Sequence, residues 1–206
     1  MKARKSKLEQ GRSLNQGLNR RLISYATAAT AAGAGVLGLA QPAEAQIVYT
    51  PTHVMIGAHG GYPLDLTNSG TTDFILHGSV TANCSTVFSA LLAKPVLQNA
   101  VQGANYLGSS VAKALAPGQR IGSSQRFVNK GGVGGVLMGE AIYSPGGGQY
   151  RGNWVHVVNR YLGLKFQING ETHFGWARLS VKLSLRRPME ALLTGYAYET
   201  EANTPI

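Results

Sequence analysis

One cysteine, Cys84, and nine acidic side chains are all that a chain of 206 residues holds of those types. A single cysteine excludes an intrachain disulfide framework. Seven carboxylates after residue 45 (Asp65, Asp73, Glu140, Glu171, Glu190, Glu199 and Glu201) leave few ways to build the acid–base pair that a glycosidase needs. No two of His53, His59, His77, His156 and His173 have HxxxH or HExxH spacing, and no GxSxG occurs. Cys84 sits in Ala82-Asn83-Cys84-Ser85-Thr86, which carries no protease signature. No nucleophile–base or metal constellation can be assembled, so the expectation is a protein that is not an enzyme. A lone thiol of this kind is expected to be buried, or to pair between molecules.

The formal charge of +10 first points to nucleic acid or an anionic membrane. Its distribution points elsewhere. Residues 1–45 contain seven basic and two acidic residues, a net +5, and the remaining +5 is scattered over twelve Lys and Arg in residues 46–206. The first stretch ends its basic region at Arg20-Arg21, continues as the uncharged LISYATAATAAGAGVLGLA, and reaches Ala43-Glu44-Ala45. This is the order of a secretory signal peptide, with small residues at −3 and −1 and cleavage expected between Ala45 and Gln46. The alternative, a transmembrane anchor, is opposed by Ser24, Thr27, Thr30 and the lack of a stop-transfer cluster. Export by Sec is expected, and Arg20-Arg21 leaves the twin-arginine route as the alternative. No nucleic-acid partner is expected of an exported chain with scattered charge.

Residues 46–206 carry 22 of the 27 glycines and little helical periodicity. Short alternating or β-branched runs between Gly, Asn, Pro and Ser predict one mainly β domain, a β-sandwich or jelly roll. One or two short helices are expected, at Thr86–Ala93 before Lys94-Pro95 and at Val111–Leu115. The Gly-rich 131–152 region is expected to form mobile loops around one strand. The firmest element is a hairpin around Asn169-Gly170, since both turn residues tolerate positive φ. A two-residue loop sets the register: Ile168 faces Glu171, Phe166 faces His173, Leu164 faces Gly175 and Leu162 faces Ala177. That face is assigned to the core, with His173 a satisfied core-edge histidine. On the other face Lys165 meets Phe174, Gly163 meets Trp176 and Tyr161 meets Arg178. These pairs predict cation–aromatic contacts and a tryptophan covering a strand glycine. The strand Leu192–Tyr198 is expected to pair with the second hairpin strand.

The mixed face permits two uses. Trp154, Tyr161, Lys165, Phe174, Trp176 and Arg178 form a candidate strip for stacking on sugar rings. Alternatively, a loop or second layer covers the face and the long side chains snorkel at its edge. Asp65-Leu66-Thr67-Asn68-Ser69-Gly70-Thr71-Thr72-Asp73 has the spacing of a calcium loop. Asp65, Thr67, Ser69, the Thr71 carbonyl and Asp73 are its candidate oxygen ligands for weak Ca²⁺ binding. With only two carboxylates, an Asx-rich turn explains the same residues.

Arg160-Tyr161-Leu162-Gly163-Leu164-Lys165-Phe166, then Asn169–Leu179, then Gly195-Tyr196-Ala197-Tyr198-Glu199-Thr200 and Pro205-Ile206 resemble a group of exported bacterial proteins. Many of that group carry a C-terminal PEP-CTERM-type sorting tail. The resemblance covers about two-thirds of residues 46–206 and implies export and a β-rich fold, with no activity attached. Relatives have a fuller DLNNDGxTDF at the calcium-like loop, where Thr67 and Ser69 stand here. This chain also ends at Ile206, without the linker, hydrophobic segment and basic end usual in the group. The expected product is therefore secreted, periplasmic or extracellular, with no permanent membrane anchor once the leader is removed. Its expected role is binding or structural, in the cell envelope or extracellular matrix. A carbohydrate-binding (lectin-like) module is the first alternative and a sandwich-fold polysaccharide hydrolase the second. A glycan or matrix component is the expected partner.

Overall fold

The computed structural model describes residues 45–106, 108–129, 134–187 and 189–206. The leader lies outside the described residues. Among those residues the chain is mainly β with no helix, and so none long and apolar enough to cross a membrane. Ala45–Ile206 is one compact unit.

Twelve strands occur in chain order. They are β1 (Ile47–Ile56), β2 (Gly61–Leu64), β3 (Phe74–Ala82), β4 (Val87–Pro95), β5 (Ala100–Tyr106) and β6 (Ser109–Ala112), followed by β7 (Phe127–Val128), β8 (Val136–Ser144), β9 (Gly147–Gly152), β10 (Val157–Ile168), β11 (Glu171–Lys182) and β12 (Glu190–Glu199). Pairing runs continuously in the order β1-β12-β11-β10-β5-β6-β8-β4-β3-β2, with β7 beside β5 and β9 beside β8. The sheet curls into a nearly closed barrel. Strand β5 makes the corner: Ala100 and Val101 pair with β10, and Gly103–Tyr106 pair with β6.

The two edge strands, β1 and β2, are consecutive in the chain, so residues 57–60 bridge the seam. The Gly78 N–H of β3 donates to the Gly60 carbonyl at 2.9 Å. A Cβ on Gly78 would strike the Gly57 carbonyl oxygen, so this close approach requires glycine. The interior is filled by Leu64, Leu76, Leu91, Met138, Leu164 and Phe166, all without solvent exposure.

The β10–β11 hairpin has the expected register throughout, from Ile168 opposite Glu171 to Tyr161 opposite Arg178. Asn169 and Gly170 have φ of 51° and 85°, as a two-residue turn of this hand requires. Strand β12 pairs with β11 as expected. His173 is buried, with Nδ1 3.0 Å from the Glu199 carbonyl oxygen.

Four expectations are corrected. Thr86–Ala93 is not a helix: Val87–Pro95 is β4, hydrogen-bonded to β3 on one side and β8 on the other. A short apolar run does not reveal its period, and here two sheet neighbours decide it. Val111–Leu115 is not a helical turn, since Ser109–Ala112 is β6. Within the Gly-rich region residues 136–152 form a hairpin, β8–β9, with Ser144 opposite Gly147. Cys84 is exposed in the turn between β3 and β4, where the core does not reach it.

Candidate functional site

The outer face of β10–β11 is covered rather than open. The chain after β6 pairs along the edge of β10, where Leu115 and Tyr161 exchange backbone hydrogen bonds of 2.9 and 3.0 Å, and its side chains lie over that face. Ile121 and Ile206 do the same at 2.8 and 2.9 Å. Leu115, Ile121 and Phe174 form a small second core, with Phe127, Tyr161, Trp176 and Ile206 packed against it.

That arrangement disperses the proposed stacking strip. Trp154 and Phe174 are buried and offer no ring face to a ligand. Lys165 Nζ sits 5.6 Å from the Phe127 centroid, not over Phe174, because Phe174 points beneath the covering segment. Arg178 leaves Tyr161: its Nε donates to Thr194 Oγ1 at 2.7 Å, and a terminal nitrogen lies 3.4 Å from the Tyr49 hydroxyl. Trp176 packs edge-on against Tyr161 at 5.1 Å and tilts against Tyr49 at 5.7 Å. Gly163 is covered by Gln102 and Leu115 rather than by Trp176. Tyr161 and Trp176 remain half-buried at the edge of this patch.

The 65–73 loop closes on itself. Asp65 Oδ1 accepts the Thr67 N–H at 3.2 Å and its hydroxyl at 3.3 Å, and Oδ2 accepts the Gly70 N–H at 2.6 Å. Ser69 Oγ accepts the Thr71 N–H at 3.4 Å. Asp73 Oδ2 accepts the Leu66 N–H at 2.9 Å. A calcium ion would compete with these N–H groups for the same oxygens. The donor set fits a self-closed Asx turn better than an ion cage. Among the described residues no group of three or more His, Cys, Asp or Glu is placed to hold a metal.

The two carboxyls are displaced in opposite directions. Burial pushes Asp65 up, but hydrogen bonds from the Gly70, Ser69 and Thr67 N–H groups and the Thr67 hydroxyl together hold it below the ordinary value. Burial pushes Asp73 up, and the Asp65 charge adds to that, against the Leu66 N–H and Asn99. Asp65 thus stabilises the fold above its unfolded pKa, and this is lost as pH falls through its lowered folded pKa. Asp73 acts in reverse: its contribution is full below its unfolded pKa and is lost as pH rises through the raised folded value. Asp65→Ala is expected to cost about 1–2 kcal/mol at neutral pH, the scale of a charge-assisted hydrogen bond. Urea melts of the two proteins should converge as the acid limb is approached. A difference independent of pH would show that the carboxylate charge has no part in closing the turn.

The site that the sequence did not reveal lies beside the covered face. A cleft of about 780 Å³ is lined by Gln102 of β5, Lys113 and Leu115 after β6, Gln119 and Arg120, Gln125, and Asn153 before β10. Gln102 is 4% exposed, yet its Oε1 has no hydrogen-bond partner, and Gln125 Oε1 is also buried without one. Other members are fixed by the backbone: Asn153 Nδ2 donates to the Ala112 carbonyl at 3.0 Å, and Gln119 Oε1 accepts the Ala116 N–H at 2.8 Å. Lys113 and Arg120 are exposed at the rim, and among the described residues no carboxylate lines the cleft.

No family model, curated protein or solved structure matches this chain. The cleft's chemistry therefore rests on its own residues. It combines hydrogen-bonding amides, two cations and no acid to donate or abstract a proton. Such a lining can hold a polyhydroxylated or anionic ligand. It offers no general acid–base pair for hydrolysis.

Proposed function

We propose that the protein is an exported, non-catalytic binding module of the cell envelope or extracellular matrix, and that its ligand is an acidic saccharide. As an architecture, the barrel-like sheet is read as a sandwich whose two layers share the corner strand β5. The leader's sequence pattern and the resemblance to exported PEP-CTERM-associated proteins support export. The observation that carries the ligand class is the carboxylate-free cleft with the unpartnered amide oxygens of Gln102 and Gln125. A buried amide oxygen without a partner costs about 1–3 kcal/mol. A sugar hydroxyl would recover that cost on binding once the Gln102 amide turns outward from Gly163. Lys113 and Arg120 favour a carboxylated sugar over a neutral one.

The test is calorimetric titration of the full chain with an oligouronate and with its neutral hexose counterpart. The uronate should bind about tenfold more tightly, the scale of one charge-assisted hydrogen bond. Lys113→Ala/Arg120→Ala should abolish that preference. Trp176→Ala should leave it intact, because the covered hairpin face is not the site. A glycan array without a single hit would end the saccharide reading, and turnover of any polysaccharide would end the non-catalytic one.

A further inference from the structure

A second cleft, of about 430 Å³, lies at one mouth of the barrel, away from the residues of the polar cleft. Its floor continues the inner face of the sheet outward from the core. Leu91 of β4 is fully buried, Ser89 stands two residues further out, and Val87 is at the lip. Ser89 is flanked across the sheet by Val80 and Ala141, and Val87 by Tyr143. One wall comes from the seam, where Gly78 lets residues 57 and 58 lie close and brings Ala58 and His59 to the opening. The opposite wall comes from the chain between β11 and β12. Leu185 packs against Gly148, where any Cβ would collide with it. Ser184 Oγ accepts the N–H groups of Arg186 and Arg187 at 3.3 and 3.2 Å, which fixes the following turn.

The chemistry is divided by depth. The interior is apolar except for Ser89, which is 5% exposed and whose Oγ has no partner. The rim carries His59, Arg186 and Arg187, and the Arg186 guanidinium lies 5.8 Å from the Tyr143 ring centroid. Among the described residues no carboxylate lines this cleft. Two residues along a strand separate the Ser89 layer from the Val87 lip, about 7 Å. Barrel mouths are common ligand sites, and an apolar pocket with a few fixed polar groups selects by orientation.

We propose that this mouth binds an amphipathic hydroxycarboxylate. Its carboxylate meets Arg186 and Arg187 at the rim, its hydroxyl pairs with Ser89 Oγ, and its hydrocarbon body lies against Val80, Ala141 and Leu185. The proposal is independent of the saccharide reading, because the two clefts share no residue.

The probes are 3-hydroxydecanoate, decanoate and 1-decanol, titrated calorimetrically and in thermal melts with the full chain. Binding is expected to raise the melting temperature, since a ligand of the native state stabilises it. The hydroxy acid should bind about fivefold more tightly than decanoate, from one added hydrogen bond, and the alcohol should bind weakest. Ser89→Ala should equalise the two acids. Arg186→Ala/Arg187→Ala, at two exposed positions, should weaken both acids about tenfold and leave the alcohol unchanged. Lys113→Ala/Arg120→Ala should change none of these affinities. Equal affinity for acid and alcohol, an unaltered double-arginine variant, or a melting temperature that falls with added acid would each overturn the proposal.

Discussion

Gly78→Ala is expected to destabilise the fold by about 3 kcal/mol, the upper range for forcing one extra carbon into a packed site. The obstacle is backbone: the added Cβ meets the Gly57 carbonyl oxygen and carbon and then Ala58 Cα, so no side-chain rotation relieves it. The bridge at residues 57–60 must lift, which also breaks the Gly78 N–H bond to Gly60. Gly57→Ala is the matched control, since a Cβ there meets nothing within 4 Å and should cost little. Urea titration of the two variants checks the difference. Equal midpoints would show that the seam yields freely. Because Ala58 and His59 wall the barrel mouth, Gly78→Ala should also weaken binding of 3-hydroxydecanoate, whereas Gly57→Ala should not.

Phe166→Ala is expected to cost about 3–5 kcal/mol, a transfer loss plus a cavity that the sheet cannot close. Phe166 is fully buried on β10, 5.8 Å from the Tyr198 ring in an edge-on pair and 6.0 Å from the His173 ring. Three neighbouring strands hold these rings in fixed register, so no loop can move in to fill the space. Phe166→Leu should recover more than half of the loss, because most of the volume returns. A loss below about 1 kcal/mol for Phe166→Ala would mean that the interior is loosely packed at its centre.

Phe166 and its neighbours also show where the sequence was informative. A two-residue Asn169-Gly170 turn allows one register, and alternation then assigns every residue of β10 and β11 to a face. Local chemistry was enough there. It was not enough at Thr86–Ala93, where an apolar run suits a helix or a doubly paired strand and only β3 and β8 settle the matter. The β8–β9 hairpin was hidden because glycines that resemble a loop are required by contact: Gly148 accommodates Leu185, and Gly152 lies against the Met138 carbonyl. Aromatic and cationic residues on the hairpin's outer face were legible as a mixed face. The segment around Leu115 and Ile121 that covers them was not, because nothing near residue 115 specifies docking on residue 161. The polar cleft was the least legible feature. Gln102, Lys113, Gln125 and Asn153 come from separate turns and strands, and in sequence each alone reads as an ordinary surface amide or cation.

Among the described residues β1, the first strand, pairs only with β12, the twelfth. Gln46 and Thr200, which are joined by a 3.2 Å hydrogen bond, are 154 positions apart. β1 therefore remains an unpaired edge until β12 has docked on it. Topologies dominated by such distant pairings fold on the slow side, in milliseconds to seconds. During that interval the apolar residues of β1, Val48, Val54 and Ile56 among them, are available to any other strand it meets. The step most exposed to misassembly is therefore the docking of β1 on β12.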